Sequence, residues 1–569
     1  MYQITKQMKI NFKKLFLPAV LGISLIGLFS FTKNDQADRY FQIAKNLDIF
    51  ATTFKEINTY YVDQVNPSDL VKTAIDAMLA SLDPYTNYIP ENEIEDYRTM
   101  TTGQYGGIGA IIGRQHEKNV IIMPYLGFPA QKSGLRTADE LLSIDGIDVK
   151  EKNVADISKL LKGQANTKLI VKVKRHGAEE PIDIPIMREK ITLKNVPWHG
   201  MISDGIGYIK LSDFTTDAGK EVKDALKELE AKGAKKVVLD LRDNPGGLLN
   251  EAVNVASVFI PRGSEVVNTK GKMTDWNKTY NTSNNPVDTD IPLAVLTSSR
   301  SASAAEIVSG VMQDYDRGVL IGDRTFGKGL VQATRPLAYN SQLKVTTAKY
   351  YIPSGRCIQA IDYSHRNEDG SVGKVPDSLK VEFNTANGRP VYDGGGITPD
   401  IKTERQYIAP ITISLIARGW VFDYATEYFY KHDKISEPAN FEISDEDFAD
   451  FVSWLDDKDY DYTTKVEKTL DDLKEYAKKE KYYDDIEAEI KDLEQSVKHD
   501  KKKDLQKFKK EIKTVLSEEI VSRYYYREGL IEASFKTDNT VQKAIEVLNN
   551  TAEYNKLLTD KTDKSKKED

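Results

Sequence analysis

Ser303 and Lys328 are the residues whose types and spacing most readily suggest chemistry. Both lie in Ser298 to Gln332, SSRSASAAEIVSGVMQDYDRGVLIGDRTFGKGLVQ. The apolar run Ile291 to Leu296 precedes this stretch and reads as a buried strand. Ile307, Val308, Val311 and Met312 then fall on one helical face, and Gly318 to Gly322 reads as a second buried strand. The unit is strand, sharp turn, helix, strand, with Ser303 at the first turn. Exposed backbone N–H groups and the positive end of a helix favour a nucleophile there. A serine hydroxyl needs a base to take its proton. Lys328 can be that base only if its amine is neutral, and lowering a reference pKa of about 10.4 by roughly three units disfavours the ammonium by about 4 kcal/mol. Burial in an apolar pocket supplies such a bias. The flanking glycines let the backbone bring Lys328 close, and Gln332 could orient the amine without adding charge. A Ser-Lys dyad is a variant of the serine-hydrolase arrangement. On residues alone, Ser303 reads equally as a helix N-cap, and Lys328 as a solvated loop lysine.

SASAAE followed by TFGKGLVQ resembles the C-terminal processing peptidases, or tail-specific serine proteases. Three further stretches match that family in order: LRDNPGG at Leu241 to Gly247, YYIPSGRCIQ from Tyr350, and GGGITPD ending at Asp400. The resemblance implies a nucleophile at Ser303, a general base at Lys328 and a lysine-positioning amide at Gln332. Ser301 is the rival serine, with a less suitable spacing to the lysine. The resemblance also implies an oxyanion hole from the Gly246 and Ala304 amides, with Gly247 the alternative to Gly246.

Several elements must position these residues. GIGYIKLSDF and KKVVLDL read as strands, Asp217 to Lys232 as an amphipathic helix, and RDNPGGLLNEAVNVASVFI as a sharp turn into another helix. This alternation predicts an α/β layer with mostly parallel strands, whose site lies beyond the strands' carboxyl ends. Upstream, GQYGGIGAIIG lacks the Gly-Lys-Ser/Thr and the following helix of a phosphate loop. It resembles the carboxylate-binding loop of a PDZ domain, with Gly106, Gly107, Ile108 and Gly109 as peptide-binding residues. Such domains capture a peptide C-terminus by adding it to a sheet edge. GFPAQKSGLRTADELLSIDGIDV continues the PDZ pattern, except that Ala138 stands where glycine is usual. Between Gln359 and the GGGITPD stretch, Ala360 to Asp393 is longer than the family's usual connection. It reads as a surface insertion or a loop near the substrate groove.

The expected architecture is multidomain α/β. Residues 1–34 form an export or signal-anchor segment, 35–100 a helical N-terminal region and 101–187 the PDZ domain. Residues 188–405 form a crotonase- and ClpP-like α/β protease core, and 406–569 a helical C-terminal domain ending in a disordered tail. Lys9, Lys13 and Lys14 precede the apolar run Leu15 to Phe31, which predicts export with the basic flank left behind. Localisation is expected at the inner membrane facing the periplasm, or in the periplasm if the segment is cleaved. Tyr40, Ile43, Leu47, Phe50, Phe54 and Ile57 recur at helical spacing. A second helix should end at Asp83-Pro84. SLDPYTNYIP also resembles the family, and is read as packing or dimer contact without chemistry.

The chain has 569 residues, 40% hydrophobic, with a formal charge of −8. Length and apolar content support several cores, and the charge gives no reason to expect nucleic acid as partner. One cysteine, Cys357, excludes an intrachain disulfide and reads as a small packing residue. The six histidines form no HExxH and no close pair, so neither a metal nor another cofactor is expected. The reading is a serine endopeptidase acting on C-terminal tails of exported proteins, with peptides bearing free C-termini as partners and a homo-oligomer expected. Two alternatives remain on sequence alone: a non-catalytic PDZ peptide-binding module, and a crotonase-like acyl-thioester enzyme that shares the fold and an oxyanion hole.

Overall fold

The structure, a computed structural model, describes residues 13–404, 406–497 and 500–559, the side chains of 13–36 and 377 excepted. The anchor expected at 1–34 and the tail beyond 559 therefore lie outside the residues described in full. Among the described residues, no helix is long and apolar enough to cross a membrane.

Residues 1–81 and 82–569 form two compact units. In the first, helix Lys13–Tyr60 is followed by helix Pro67–Ala80. Asn66 starts the second helix by accepting from the Ser68 amide, and Pro67 occupies the first turn, where a missing N–H costs nothing. Its end falls just before Asp83-Pro84, as the sequence predicts.

The second unit contains several hydrophobic cores. The PDZ domain is a sheet ordered Ala110–Gln115, Lys118–Pro124, Glu140–Ile144, Lys168–Lys174 and Ile182–Met187, with Ile147–Asp148 added to the third strand. Lys168–Lys174 (KLIVKVK) alternates exposed and buried along its length, the period-2 pattern of a half-buried strand. Helix Val154–Leu161 packs Ile157 and Leu161 against Ile121, Leu141 and Val171. Ala138 adopts the left-handed conformation (φ 70°) that its family position reserves for glycine.

The α/β core expected at 188–405 is a six-stranded sheet ordered Trp198–Ser203, Ile206–Lys210, Lys236–Asp240, Leu293–Thr297, Val319–Gly322 and Ile401–Lys402. Its first pair is antiparallel and the rest are parallel. Strands buried on both faces carry no polar alternation: all five residues of Leu293–Thr297 are buried. Helices Ala218–Ala231, Leu249–Phe259 and Ala304–Asp314 fill one face. The other face is covered from the far end of the chain, by Val541, Ala544, Val547 and Leu548 of helix Asn539–Asn549 with Phe535 and Tyr554. The C-terminal region therefore supplies the second helical layer of the core as well as its own helical cluster around Leu415, Phe448, Phe451 and Ile520.

A second sheet stands beside the core: Asn87–Ile89, Gln342–Tyr351, Glu265–Gly271 and Lys278–Asn281 in order, with Leu330–Pro336 also paired to Gln342–Tyr351. Its first strand comes from SLDPYTNYIP, which thereby joins the core by pairing Asn87 with Lys344 and Ile89 with Gln342. The Ala360–Asp393 segment is structured, with hairpins Ile361–Arg366/Val372–Lys374 and Glu382–Asn384/Pro390–Tyr392. Arg389 anchors it through buried ion pairs to Asp316 and Asp400 at 2.5 Å each.

Candidate active site

Ser303 stands between the carboxyl end of strand Leu293–Thr297 and helix Ala304–Asp314. Its φ of 55° and ψ of −114° are unusual for a residue with a side chain. The loop before it is fixed by its other serines. Ser301 is fully buried; its hydroxyl donates to the Leu241 carbonyl at 2.8 Å and accepts from the Ser298 amide at 2.9 Å. The rival serine is thus committed to structure, which spacing alone could not decide.

The Asn-Pro-Gly-Gly turn is folded against this loop. The Asn244 side chain donates to the Leu211 carbonyl and accepts from the Gly246 amide, both at 2.8 Å, while its own carbonyl takes the Ala302 amide at 3.0 Å. Gly246 lies in the left-handed region (φ 95°), and a Cβ there would meet the Ala302 oxygen at 2.7 Å and both the Ala304 nitrogen and the Ser303 Cβ at 2.8 Å. The space beside Ser303 and the first helical amide is open only because residue 246 is glycine. Since the Gly246 amide serves Asn244, the Gly247 amide, which makes no hydrogen bond among the described residues, is the other donor in this turn. Gly246→Ala is expected to lower kcat/KM at least about 100-fold, because it both strains the turn and fills this space. Activity near wild type in a folded Gly246→Ala protein refutes that assignment.

Two groups tie Ser303 to Lys328 through their backbones. The first is Glu306, fully buried in the first turn of the serine's own helix. One carboxylate oxygen accepts from the Ser303 and Lys328 amides at 2.9 and 2.8 Å; the other accepts from the Gly327 amide at 2.7 Å and the Thr325 hydroxyl at 2.6 Å. Burial raises the Glu306 pKa to about 7, against the pull of these four donors. The second is Tyr350, whose hydroxyl reaches the Lys328 carbonyl at 2.6 Å and the Ser303 carbonyl at 3.2 Å. The lysine turn needs both of its glycines: a Cβ on Gly327 would fall 2.4 Å from that of Ala360, and one on Gly329 2.8 Å from the Gln359 nitrogen.

The Lys328 amine lies 4.4 Å from the centre of the Tyr85 ring. Its pKa is lowered to about 8, chiefly by burial and then by the positive charge of Lys344, with Glu306 and Asp83 opposing. Gln332 is on the adjoining strand, where its amide donates to the Thr346 hydroxyl at 3.1 Å; that bond ties it to the neighbouring strand. The described histidines pair or stack elsewhere: His116 with Asp423, His176 with Tyr430, His199 with Glu228, His365 with Asp362 and His432 with Tyr428. Cys357 is half-buried, and burial raises its thiol pKa, which suits a packing residue. Among the described residues, no cluster of His, Cys, Asp or Glu could hold a metal ion.

The four residues read as the PDZ carboxylate loop divide into two pairs. Gly106 and Gly107 are the end of strand Gln104–Gly107, paired with Lys190 and Glu189. Ile108 and Gly109 form the loop itself, their carbonyls held by the Ala130 and Tyr125 amides at 2.8 and 2.9 Å. In trans peptides this turns the following amides of Gly109 and Ala110 to the opposite side.

Sequence reading missed Glu306, Tyr350, Tyr85 and Asp83. Glu306 and Tyr350 sat inside quoted motifs but were given no role, and SLDPYT was assigned to packing. The available signal was a carboxylate three residues after a helix-start serine, the pattern of a capping box.

The sequence of this chain is 35% identical over 346 residues to the carboxy-terminal-processing protease of Bartonella bacilliformis, covering 60% of this chain and 78% of that one. This chain belongs to that protease family. The peptidase family S41 model matches residues 205–365, a PDZ model matches 124–175, the C-terminal helical domain of a probable PDZ-protease matches 411–548, and the N-terminal domain of the activating protease CtpB matches 29–93. A probable CtpA-like serine protease of Staphylococcus aureus is 34% identical over 404 residues, 70% of this chain and 75% of that one. Among solved structures, the photosystem II D1 C-terminal processing protease is 27% identical over 62% of this chain and 92% of that one, with a TM-score of 0.34. This S41 peptidase is therefore a serine protease of the C-terminal processing type, as the sequence resemblance implies, with PDZ, protease-core and flanking helical regions.

Proposed function

We propose that this S41 peptidase cleaves with a Ser303–Lys328 dyad, and that its PDZ domain delivers the unstructured C-terminal tails of exported proteins to it. The observation that carries the reading is the pair of clamps, Glu306 and Tyr350, which bind the backbone of both residues. Nothing in a merely structural serine or a solvated lysine calls for that shared fixation.

The Lys328 amine takes the Ser303 proton as the hydroxyl oxygen attacks the scissile carbonyl. Negative charge develops on the carbonyl oxygen beside the Ala304 amide and an amide of the Gly246–Gly247 turn. The new ammonium then gives its proton to the leaving amine, and the C–N bond breaks. Water, deprotonated by the same amine, hydrolyses the Ser303 ester and restores the hydroxyl. Gln332 is given the lysine-positioning role by the resemblance alone, its amide being bonded to Thr346 in the structure.

The PDZ sheet supports tail capture because Ala110–Gln115 is an edge strand with one open side, preceded by the Ile108–Gly109 loop. Residues 1–34 anchor the protein in the inner membrane with the remainder in the periplasm; the basic flank and apolar run carry this part. Self-association runs through the first helix, where Tyr40, Leu47 and Phe50 are 70%, 63% and 48% exposed. Leu47→Asp with Phe50→Asp should then lower the sedimenting mass to that of a monomer; an unchanged mass removes this surface.

The test is cleavage of an unstructured protein with an apolar C-terminus, with fragments identified by mass spectrometry. Ser303→Ala should abolish cleavage. Amidating the substrate's C-terminal carboxylate should reduce kcat/KM by about tenfold or more, through lost charge-assisted hydrogen bonds. Cleavage that survives Ser303→Ala rejects the dyad, and indifference to amidation rejects carboxylate capture.

A further inference from the structure

Tyr85 lies over the Lys328 amine at 4.4 Å and is itself held from two directions. From its own loop, the Asp83 carboxylate accepts the Tyr85 and Thr86 amides, both at 2.8 Å. From the side, Tyr363 meets the Tyr85 ring edge to face, with centroids 6.1 Å apart at 89°. Tyr363 belongs to strand Ile361–Arg366 of the hairpin that opens the long Ala360–Asp393 segment. That strand is tied at both ends to the elements around the lysine. At its start, the Ala360 amide donates to the Gly327 carbonyl at 2.9 Å, and the Gln359 side chain accepts the Gly329 amide at 2.7 Å. At its far end, Arg366 reaches the Leu82 carbonyl at 3.4 Å, where the Tyr85 loop begins. The hairpin thus spans from the lysine turn to the loop that covers it.

We propose that this hairpin is a strap that holds Tyr85 over Lys328 and keeps water from the amine, making Tyr85 and Tyr363 positioning residues for proteolysis. The proposal rests on the reading of Lys328 as the base. Its logic is solvation: an ammonium is stabilised by water, so a shielded amine loses its proton more readily. The charged groups that face the amine are Lys344 from strand Gln342–Tyr351, Glu306 from the serine's helix and Asp83 from the Tyr85 loop. Tyr85 adds no charge, since burial holds its hydroxyl above its usual pKa. The ring face attracts an ammonium and so works against proton loss. Cover and attraction therefore have opposite signs and can be separated by substitution.

The experiment is the dependence of kcat/KM on pH, across roughly pH 6 to 10, where such profiles report the free enzyme's base. It uses the full chain and the variants Tyr363→Ala, Tyr363→Phe, Tyr85→Ala, Tyr85→Leu and Lys328→Met. Opening the cover in Tyr363→Ala or Tyr85→Ala should move the acid limb upward by roughly one pH unit. Tyr363→Phe keeps the edge-to-face support and should restore the wild-type limb. Tyr85→Leu keeps apolar cover without the attraction, so its limb should stay or move down. A Tyr363→Ala enzyme with a lower rate but an unmoved limb overturns the strap, and so does a rising limb in Tyr85→Leu. Lys328→Met separates this failure from that of the dyad. Activity retained there defeats the base assignment itself, whereas an inactive Lys328→Met beside an unmoved Tyr363→Ala limb defeats the strap alone.

Discussion

Lys328→Met is expected to remove peptide hydrolysis and to stabilise the fold. The first effect follows from the loss of the amine on the residue whose backbone shares the Glu306 and Tyr350 clamps with Ser303, and should lower kcat/KM by roughly 1,000-fold or more, the scale of a general base. In wild type, with the amine pKa near 8, about a tenth of the enzyme carries a free base at pH 7, against about 3 in 10,000 for an unperturbed lysine. Activity should therefore rise about tenfold per pH unit up to about pH 8 and level off above it. The second effect is the other side of the same shift. The folded pKa of about 8 lies below the 10.5 of a solvated lysine, so the unfolded chain binds the proton more strongly. The resulting cost to folding, roughly 3 kcal/mol, is full below about pH 8 and fades as pH rises towards 10.5. Methionine keeps the apolar stem against Tyr85 and carries no charge to desolvate. Denaturant titrations at pH 7 and pH 10 should show the variant more stable at the lower pH, and the difference shrinking at the higher. A destabilised, inactive variant would mean that Lys328 supports structure instead.

The parts of this site legible in sequence are those that a single stretch encodes. Ser303 was found because a strand and a helical pattern meet there, and Lys328 because glycines bracket it. The buried strand Leu293–Thr297 shows itself as an uninterrupted apolar run. Pairings across long separations are not legible in this way. Glu306 lies on the helical turn after Ser303, but its other three donors come from the Thr325–Lys328 loop, and nothing local tells a buried acceptor from a surface glutamate. Tyr85 reaches Lys328 from far upstream because the strand just after it, Asn87–Ile89, pairs with Gln342–Tyr351, and SLDPYT by itself reads as a helix stop. The helices that cover the second face of the sheet lie near the far end of the chain. Their apolar faces are visible as periodicity, but the surface they pack on is not. Ser301 and Ser303 are equivalent as residue types and differ in sequence only by their spacing to the lysine; the burial of the first decides between them.

Glu306→Gln should inactivate the enzyme almost as fully as loss of the lysine, although Gln is nearly isosteric. The carboxylate accepts four hydrogen bonds and donates none. An amide offers one oxygen and one NH2, so in either orientation the NH2 faces two donors. The Thr325 oxygen already accepts the Ile397 amide at 2.6 Å, so it can meet the NH2 only by turning its own proton away and accepting a second bond. One or two buried donors lose their acceptor at about 1–3 kcal/mol each, so destabilisation of roughly 1–5 kcal/mol is expected, visible as an earlier denaturant midpoint. The Ser303 and Lys328 amides share one oxygen, so an NH2 on their side removes the common anchor of both, and an NH2 on the other side frees the Gly327 amide of the lysine turn. Displacements of about 1 Å at such a site can cost 100-fold in rate. The residual activity should carry a distinct signature. The Glu306 charge raises the Lys328 pKa, so removing it lets the amine lose its proton more easily, and the acid limb should move to lower pH. A general loss of structure would reduce the rate at every pH without moving the limb. The shift therefore identifies Glu306 as the group that fixes nucleophile and base together and adjusts the base. A limb that stays in place, or moves up, would assign it to packing alone.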